Sequence, residues 1–198
     1  MPLPISWATP EDFATLFQYF WYRDFPIDQK AIGAKRSDWT IHIGIVVRNI
    51  ADLMGLVTRF ESGNRTDAVL RSTEGDEIAI EWEWSGVLGE KANELKKLKE
   101  HKVRPKGKER LKYAVLITYT HTPNIVRVYN HVMAKWKEGE AARWPLLLIL
   151  IDAIEVPKSK FSIGKEFKNI QMSVFDSVGR KDLRVAPANP WDVESTHW

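Results

Sequence analysis

The chain contains no cysteine. That excludes disulfides, thiolate metal sites and a cysteine nucleophile, and it fits a reducing compartment. No stretch resembles a basic leader followed by an apolar run, so no secretory signal is expected. The longest apolar run, PLLLILIDAI, is too short to span a bilayer and carries Asp152. The reading is of a cytoplasmic protein with no membrane partner. No GxxxxGK[ST] loop, GxGxxG turn or GxSxG elbow is present, so ATP-driven, nicotinamide and serine-hydrolase chemistries lack support. The five histidines, His42, His101, His121, His131 and His197, show neither HxxxH nor HxH spacing. They read as structural or surface residues rather than metal ligands.

What is present is a 198-residue chain with 44% hydrophobic residues, enough for one domain with a buried core. Nine tryptophans read mainly as packing residues. The net charge is only +3, with a pI near 9.0. The positive charge is concentrated. From Lys96 to Lys112, KKLKEHKVRPKGKERLK holds nine Lys or Arg against two Glu.

Thr9, Pro10, Glu11 and Asp12 mark the start of a helix running through FATLFQYFWYR and ending before Pro26. A second helix is expected over about 38–55, despite the β-branched residues of IHIGIVV. VTRFES, TDAVLRS and IAIEWEW read as strands, with turns at Gly63-Asn64 and Glu74-Gly75-Asp76. EKANELKKLKEH reads as a helix, VRPKGKERLK as a loop and YAVLITYT as a buried strand. IVRVYNHVMAKWKEG reads as a helix, PLLLILIDAIEV and FKNIQMSVFDS as strands. Two buried apolar strands separated by a helix predict parallel or mixed pairing at the sheet centre. The fold class is therefore α/β, a mixed central β-sheet flanked by helices. It is read as one domain over 1–198, with a core of about 38–175, an N-terminal helix of about 10–24 and an irregular tail of about 186–198.

IAIEWEW poses the chemical question. Alternation puts Ile78, Ile80, Trp82 and Trp84 on one face and Ala79, Glu81 and Glu83 on the other. The acidic face is either solvated or functional. Asp67, on the preceding strand, adds a third carboxylate across the hairpin. Three converging carboxylates repel one another without a cation and suit Mg²⁺, a hard ion that takes oxygen ligands. The register sets a condition. An odd-numbered loop at Glu74-Gly75-Asp76 sets Asp67 opposite Glu83, on the acidic face. A two-residue loop at Glu74-Gly75 sets it opposite Trp82, on the wrong face unless a bulge intervenes.

The stretches TDAVL, IAIEWEW, NELKKL and YAVLITYT, in this order within residues 60–155, resemble the PD-(D/E)xK nuclease superfamily, with its restriction-endonuclease-like fold. Thr66 stands where the family name has Pro, and Glu83 where the family usually has Lys. The resemblance implies a Mg²⁺-dependent endonuclease acting on DNA, with Mn²⁺ able to substitute. Asp67 and Glu81 would bind the metal. Glu83, or a lysine supplied by the next helix, would orient or deprotonate the water, with Lys97 the candidate lysine. Asn93 lies one turn before it, and Glu61 is a candidate outer carboxylate. Lys102, Arg104, Lys106, Lys108, Arg110 and Lys112 would contact nucleic acid; Lys30, Lys35 and Arg36 form a weaker basic group. A homodimer is compatible with cutting both strands of a duplex, although no residue identifies an interface. Two alternatives stay open: a nuclease-fold protein that binds nucleic acid or a protein partner without cutting, and an unrelated α/β domain whose acidic strand face is solvated.

Overall fold

The computed structural model describes residues 8–26, 36–62, 66–84, 87–89, 93–104, 111–137, 144–159 and 162–193. Two helices lead: α1 (Pro10–Arg23) and α2 (Arg36–Leu53). Thr9 caps α1 as expected. Its Oγ1 accepts from the Asp12 N–H at 3.1 Å, and Asp12 accepts in return from the Thr9 N–H. The β-branched centre of α2 is helical because Ile43, Val46, Val47 and Ile50 form one fully buried stripe. Tertiary packing outweighs their weak helix preference.

The remaining elements are β1 (Val57–Ser62), β2 (Thr66–Ser72), β3 (Gly75–Glu83), α3 (Glu94–Lys99), β4 (Tyr113–His121), α4 (Ile125–Lys137), β5 (Leu146–Ser159), β6 (Ser162–Phe175) and β7 (Arg180–Pro187). Seven strands form one mixed sheet in chain order. β3, β4 and β5 pair in parallel, and the outer neighbours pair antiparallel. The parallel centre matches the expectation for YAVLITYT and PLLLILIDAIEV, whose residues 113–119 and 146–153 are buried on both faces. α1 and α2 cover the face of Ile78, Ile80, Val115 and Ile149. α3 and α4 cover the face of Ala79, Ala114, Leu116 and Leu148. No helix among the described residues is long and apolar enough to cross a membrane.

Three boundaries differ from the sequence reading. α3 is confined to Glu94–Lys99; the expected start at Glu90 lies outside the described residues. β5 and β6 continue through segments expected to be a connector. β7 was not expected at all: RKDLRVAP is charged and largely exposed, so it lacks the apolar alternation that marks a strand. Those charges suit a sheet edge, where they discourage pairing with another chain.

Most described tryptophans pack. Trp21 and Trp39 stack with ring centroids 5.6 Å apart, and Trp84 stacks on Tyr119 at 3.8 Å. His42 lies among Trp21, Phe25 and Trp39 and is almost wholly buried. Burial pushes its imidazole down to about 4, against the opposing pull of Asp24. Above pH 6.5 this group is neutral folded and unfolded alike. As pH falls towards 4 the unfolded chain takes the proton first, and stability is lost. His42 should therefore cost the protein about 2 kcal/mol between pH 7.5 and 5.0. His42→Phe should narrow the difference between melts recorded at those two pH values.

Candidate active site

The acidic strand face forms by a route that combines the two registers weighed above. Ser72 pairs with Gly75, so the hairpin loop is the two residues Thr73 and Glu74. Gly75 has φ 123°, a conformation that favours glycine. Arg71 pairs with Asp76 but Leu70 with Ile78, which leaves Glu77 bulged out of the ladder. Continuing from Ala68 opposite Ile80, Asp67 comes opposite Glu81. The expected partner, Glu83, is corrected by two positions, and the expected three-residue turn by the bulge. All three carboxylate positions still share one sheet face. Without the bulge Asp67 would oppose Ile80 and belong to the other face.

That face is covered rather than solvated. Glu81 is 0% exposed, beneath α3. Lys97, half-buried on α3, sets its Nζ 2.8 Å from Glu81 Oε2. Asp67 Oδ2 accepts from the Trp82 N–H at 2.8 Å. The sequence reading missed Glu94, one turn before Lys97. It is 7% exposed, and its Oε2 has no hydrogen-bond partner. Its signal was the three-residue spacing to Lys97, which puts both side chains on one side of the helix.

The electrostatics follow from this crowding. Burial pushes the Glu81 carboxyl up to about 8; the hydrogen bond from Lys97 opposes this, and the like charges of Asp67 and Glu94 add to it. Asp67 is also raised, first by burial, against its hydrogen bond from Trp82, the charge of Lys97 and a hydrogen bond with Glu81. At neutral pH Glu81 is therefore largely protonated. Burial alone would lower the Lys97 ammonium, but Glu81, Asp67 and Glu94 together raise it. Lys97 is a cation at neutral pH, suited to holding negative charge and not to abstracting a proton.

The other predicted residues lie as follows. Glu83 is half-buried, two residues beyond Glu81 on the same face. Glu61 lies level with Asp67, between the Phe60–Ala68 and Ser62–Thr66 pairs of β1 and β2; it is exposed and has φ 48°, a left-handed conformation at the sheet edge. Asn93 is exposed just before α3. Of the basic segment, Lys106, Lys108 and Arg110 lie outside the described residues, as do Lys30 and Lys35. Lys102 is exposed. The Arg104 N–H donates to Asp76 Oδ2 at 2.9 Å, and Lys112 Nζ is 3.8 Å from Glu77 Oε2. Asp76 and Glu77 begin β3, roughly 13–16 Å along the strand from Glu81. His101 reaches both Asp76 and Thr66, at 3.3 Å each, and so links the start of β3 to the residue before Asp67. The structure brings Asp67, Glu81 and Lys97 together, while Arg104 and Lys112 contact Asp76 and Glu77 near the start of β3.

Among the described residues, no three His, Asp or Glu side chains form a ready-made metal cage. Mg²⁺ does not need one. It is commonly held by one or two carboxylates, with water and substrate phosphate completing its shell. Asp67 and Glu81 fit that pattern, and the Glu81 Oε1 lacks a donor in a buried position. Cation binding would displace the Glu81 proton. The apparent affinity for Mn²⁺ should then strengthen about tenfold per pH unit from pH 6 to 8 and level off above. A calorimetric titration at several pH values checks this; a flat profile would remove Glu81 from the ligands.

Comparison with known proteins finds no matching family model, no matching curated protein and no matching solved structure.

Proposed function

We propose that the protein is a metal-dependent nuclease that hydrolyses DNA phosphodiester bonds, with a restriction-endonuclease-like core built from β2, β3, α3 and β4. The observation that carries this reading is the Lys97 ammonium, 2.8 Å from the Glu81 carboxylate, on the face where Asp67 stands opposite Glu81. A buried acid raised to about 8 with an accompanying lysine is costly to keep beneath a helix that packs on the sheet through Leu95 and Leu98. A divalent cation on Asp67 and Glu81 would polarise the scissile phosphate, activate a water and stabilise the leaving oxygen. Asp67, oriented by the Trp82 N–H, and Glu81, its proton passed to solvent, would hold the cation. Lys97, released from Glu81, would hold the developing charge on the phosphate. This gives Lys97 the role that Glu83 cannot fill at the position where the family usually has lysine.

The second reading is a nuclease-fold protein that binds without cutting. What favours it is the same ion pair: Lys97 already satisfies Glu81 Oε2, as a structural cation would. An assay on supercoiled, linear, single-stranded and branched DNA separates the two. Cutting with Mg²⁺ or Mn²⁺ that EDTA abolishes supports the nuclease. Salt-sensitive binding without cutting on every substrate supports the binder.

A further inference from the structure

Between α3 and α4 the surface opens into a groove of about 530 Å³. Val87 and Leu88 supply apolar wall, and Lys96, Lys99 and Lys135 supply cations. Glu94 belongs both to the groove wall and to the acidic cluster, so the groove adjoins the candidate active site. On α4, Arg127, His131 and Lys135 recur every four residues, and therefore share one side of the helix. Glu100 offsets part of this charge, 4.0 Å from Lys96 across an exposed pair. With Glu94 counted as well, three lysines face two glutamates, a balance of one positive charge, and Lys96 and Lys135 are exposed beside the apolar wall.

We infer that this groove is the track for one phosphodiester strand, which passes along α3 and α4 and meets the Asp67–Glu81–Lys97 cluster beside Glu94. The inference rests on the nuclease reading and moves the main backbone contacts away from the 102–112 segment. The positions argue for this. Lys96 and Lys99 line the groove with Glu94, on the same short helix as Lys97, whereas Arg104 and Lys112 contact Asp76 and Glu77 near the start of β3 and do not line it. Lysines are point charges suited to phosphate, and apolar wall suits the sugar faces. Among the described residues no Phe, Tyr or Trp lines the groove and His131 is its one imidazole, so the contacts it offers fall mainly on the backbone and binding there should depend little on sequence.

The test is fluorescence anisotropy with a labelled single-stranded oligonucleotide and its duplex, in EDTA, over a series of salt concentrations. Lys96→Glu with Lys135→Glu should weaken binding at least about tenfold, and should flatten the salt dependence by about 1.4 for the single strand and 1.8 for the duplex. Lys99 is left in place because its Nζ donates to the Lys135 carbonyl at 3.0 Å. Lys96→Gln with Lys135→Gln should give a smaller loss in the same direction, and matched melting curves confirm that the variants fold. Lys102→Glu with Arg104→Glu should change binding less than about twofold, since these cations lie outside the track. The inference is overturned if the groove variants bind like wild type, if the 102/104 variant loses as much, if wild type binds neither oligonucleotide, or if polyglutamate competes equally. The nuclease reading fails separately. Groove-dependent binding with no cutting in any metal would sink that reading and leave the groove standing. Equal cutting and binding by wild type and groove variants would do the reverse.

Discussion

Glu81→Gln should abolish metal-dependent cleavage, by about 10³-fold or more, while making the protein more stable above pH 8. The two effects have one cause. Burial raises the Glu81 carboxyl from 4.5 to about 8. Below pH 4.5 it is protonated folded and unfolded alike and carries no penalty. As pH rises from 4.5 through 8, the unfolded chain releases the proton first, so stability declines across that window and stays low above it. Glutamine has no proton to lose. After allowance for the weakened contact with Lys97, the variant should gain about 2–4 kcal/mol at pH 9. For a chain of this size that is a melting temperature higher by about 5–10 °C. A purely structural ion pair predicts the opposite: breaking it would strand a buried lysine and destabilise the fold. Thermal melts at pH 5 and 9 therefore distinguish a functional acid from a structural one before any substrate is known.

Lys97→Met should separate metal binding from catalysis. Methionine keeps the length and apolar stem of the side chain but removes the ammonium. Cleavage should fall about 10²–10³-fold, the scale for losing one preorganised group that stabilises transition-state charge. Mn²⁺ affinity should hold or strengthen, because the cation no longer competes with Lys97 for Glu81. Without the lysine the Glu81 carboxyl rises further, so the pH dependence of metal binding should move to higher pH. If Lys97→Met cuts at the wild-type rate, the migrated-lysine role is wrong. If it loses metal affinity and activity together, Lys97 acts by shaping the site and not on the phosphate.

The hairpin carrying Asp67 and Glu81 is legible in the sequence because period-two alternation in IAIEWEW is a local property. The helical placement of Lys97 is legible for the same reason. Burial of the acidic face is not. Alternation points to an inner tryptophan face and an outer glutamate face, but Glu81 lies beneath α3, and its neighbour β4 is buried on both sides. The bulge at Glu77 is equally hidden. It accompanies contacts of Asp76 with its cross-strand partner Arg71, whose Nε lies at 2.5 Å, and with the Arg104 N–H, 28 residues away. Glu94 opens α3, and the first turn of a helix is the ordinary place for a solvated glutamate, so its sequence position does not mark it as buried. Its burial comes from packing of α3 on the sheet. β7 escaped notice because an exposed, charged edge strand has no core face to read.

The central claim is that Asp67, Glu81 and Lys97 form a metal-dependent phosphodiesterase site. Single-turnover cleavage of plasmid and oligonucleotide DNA in Mg²⁺, by wild type and Glu81→Gln side by side, tests it most directly. The account predicts nicked or linear product from wild type, none in EDTA and none from Glu81→Gln. Equal cleavage by both proteins, or product from wild type that persists in EDTA, would contradict it.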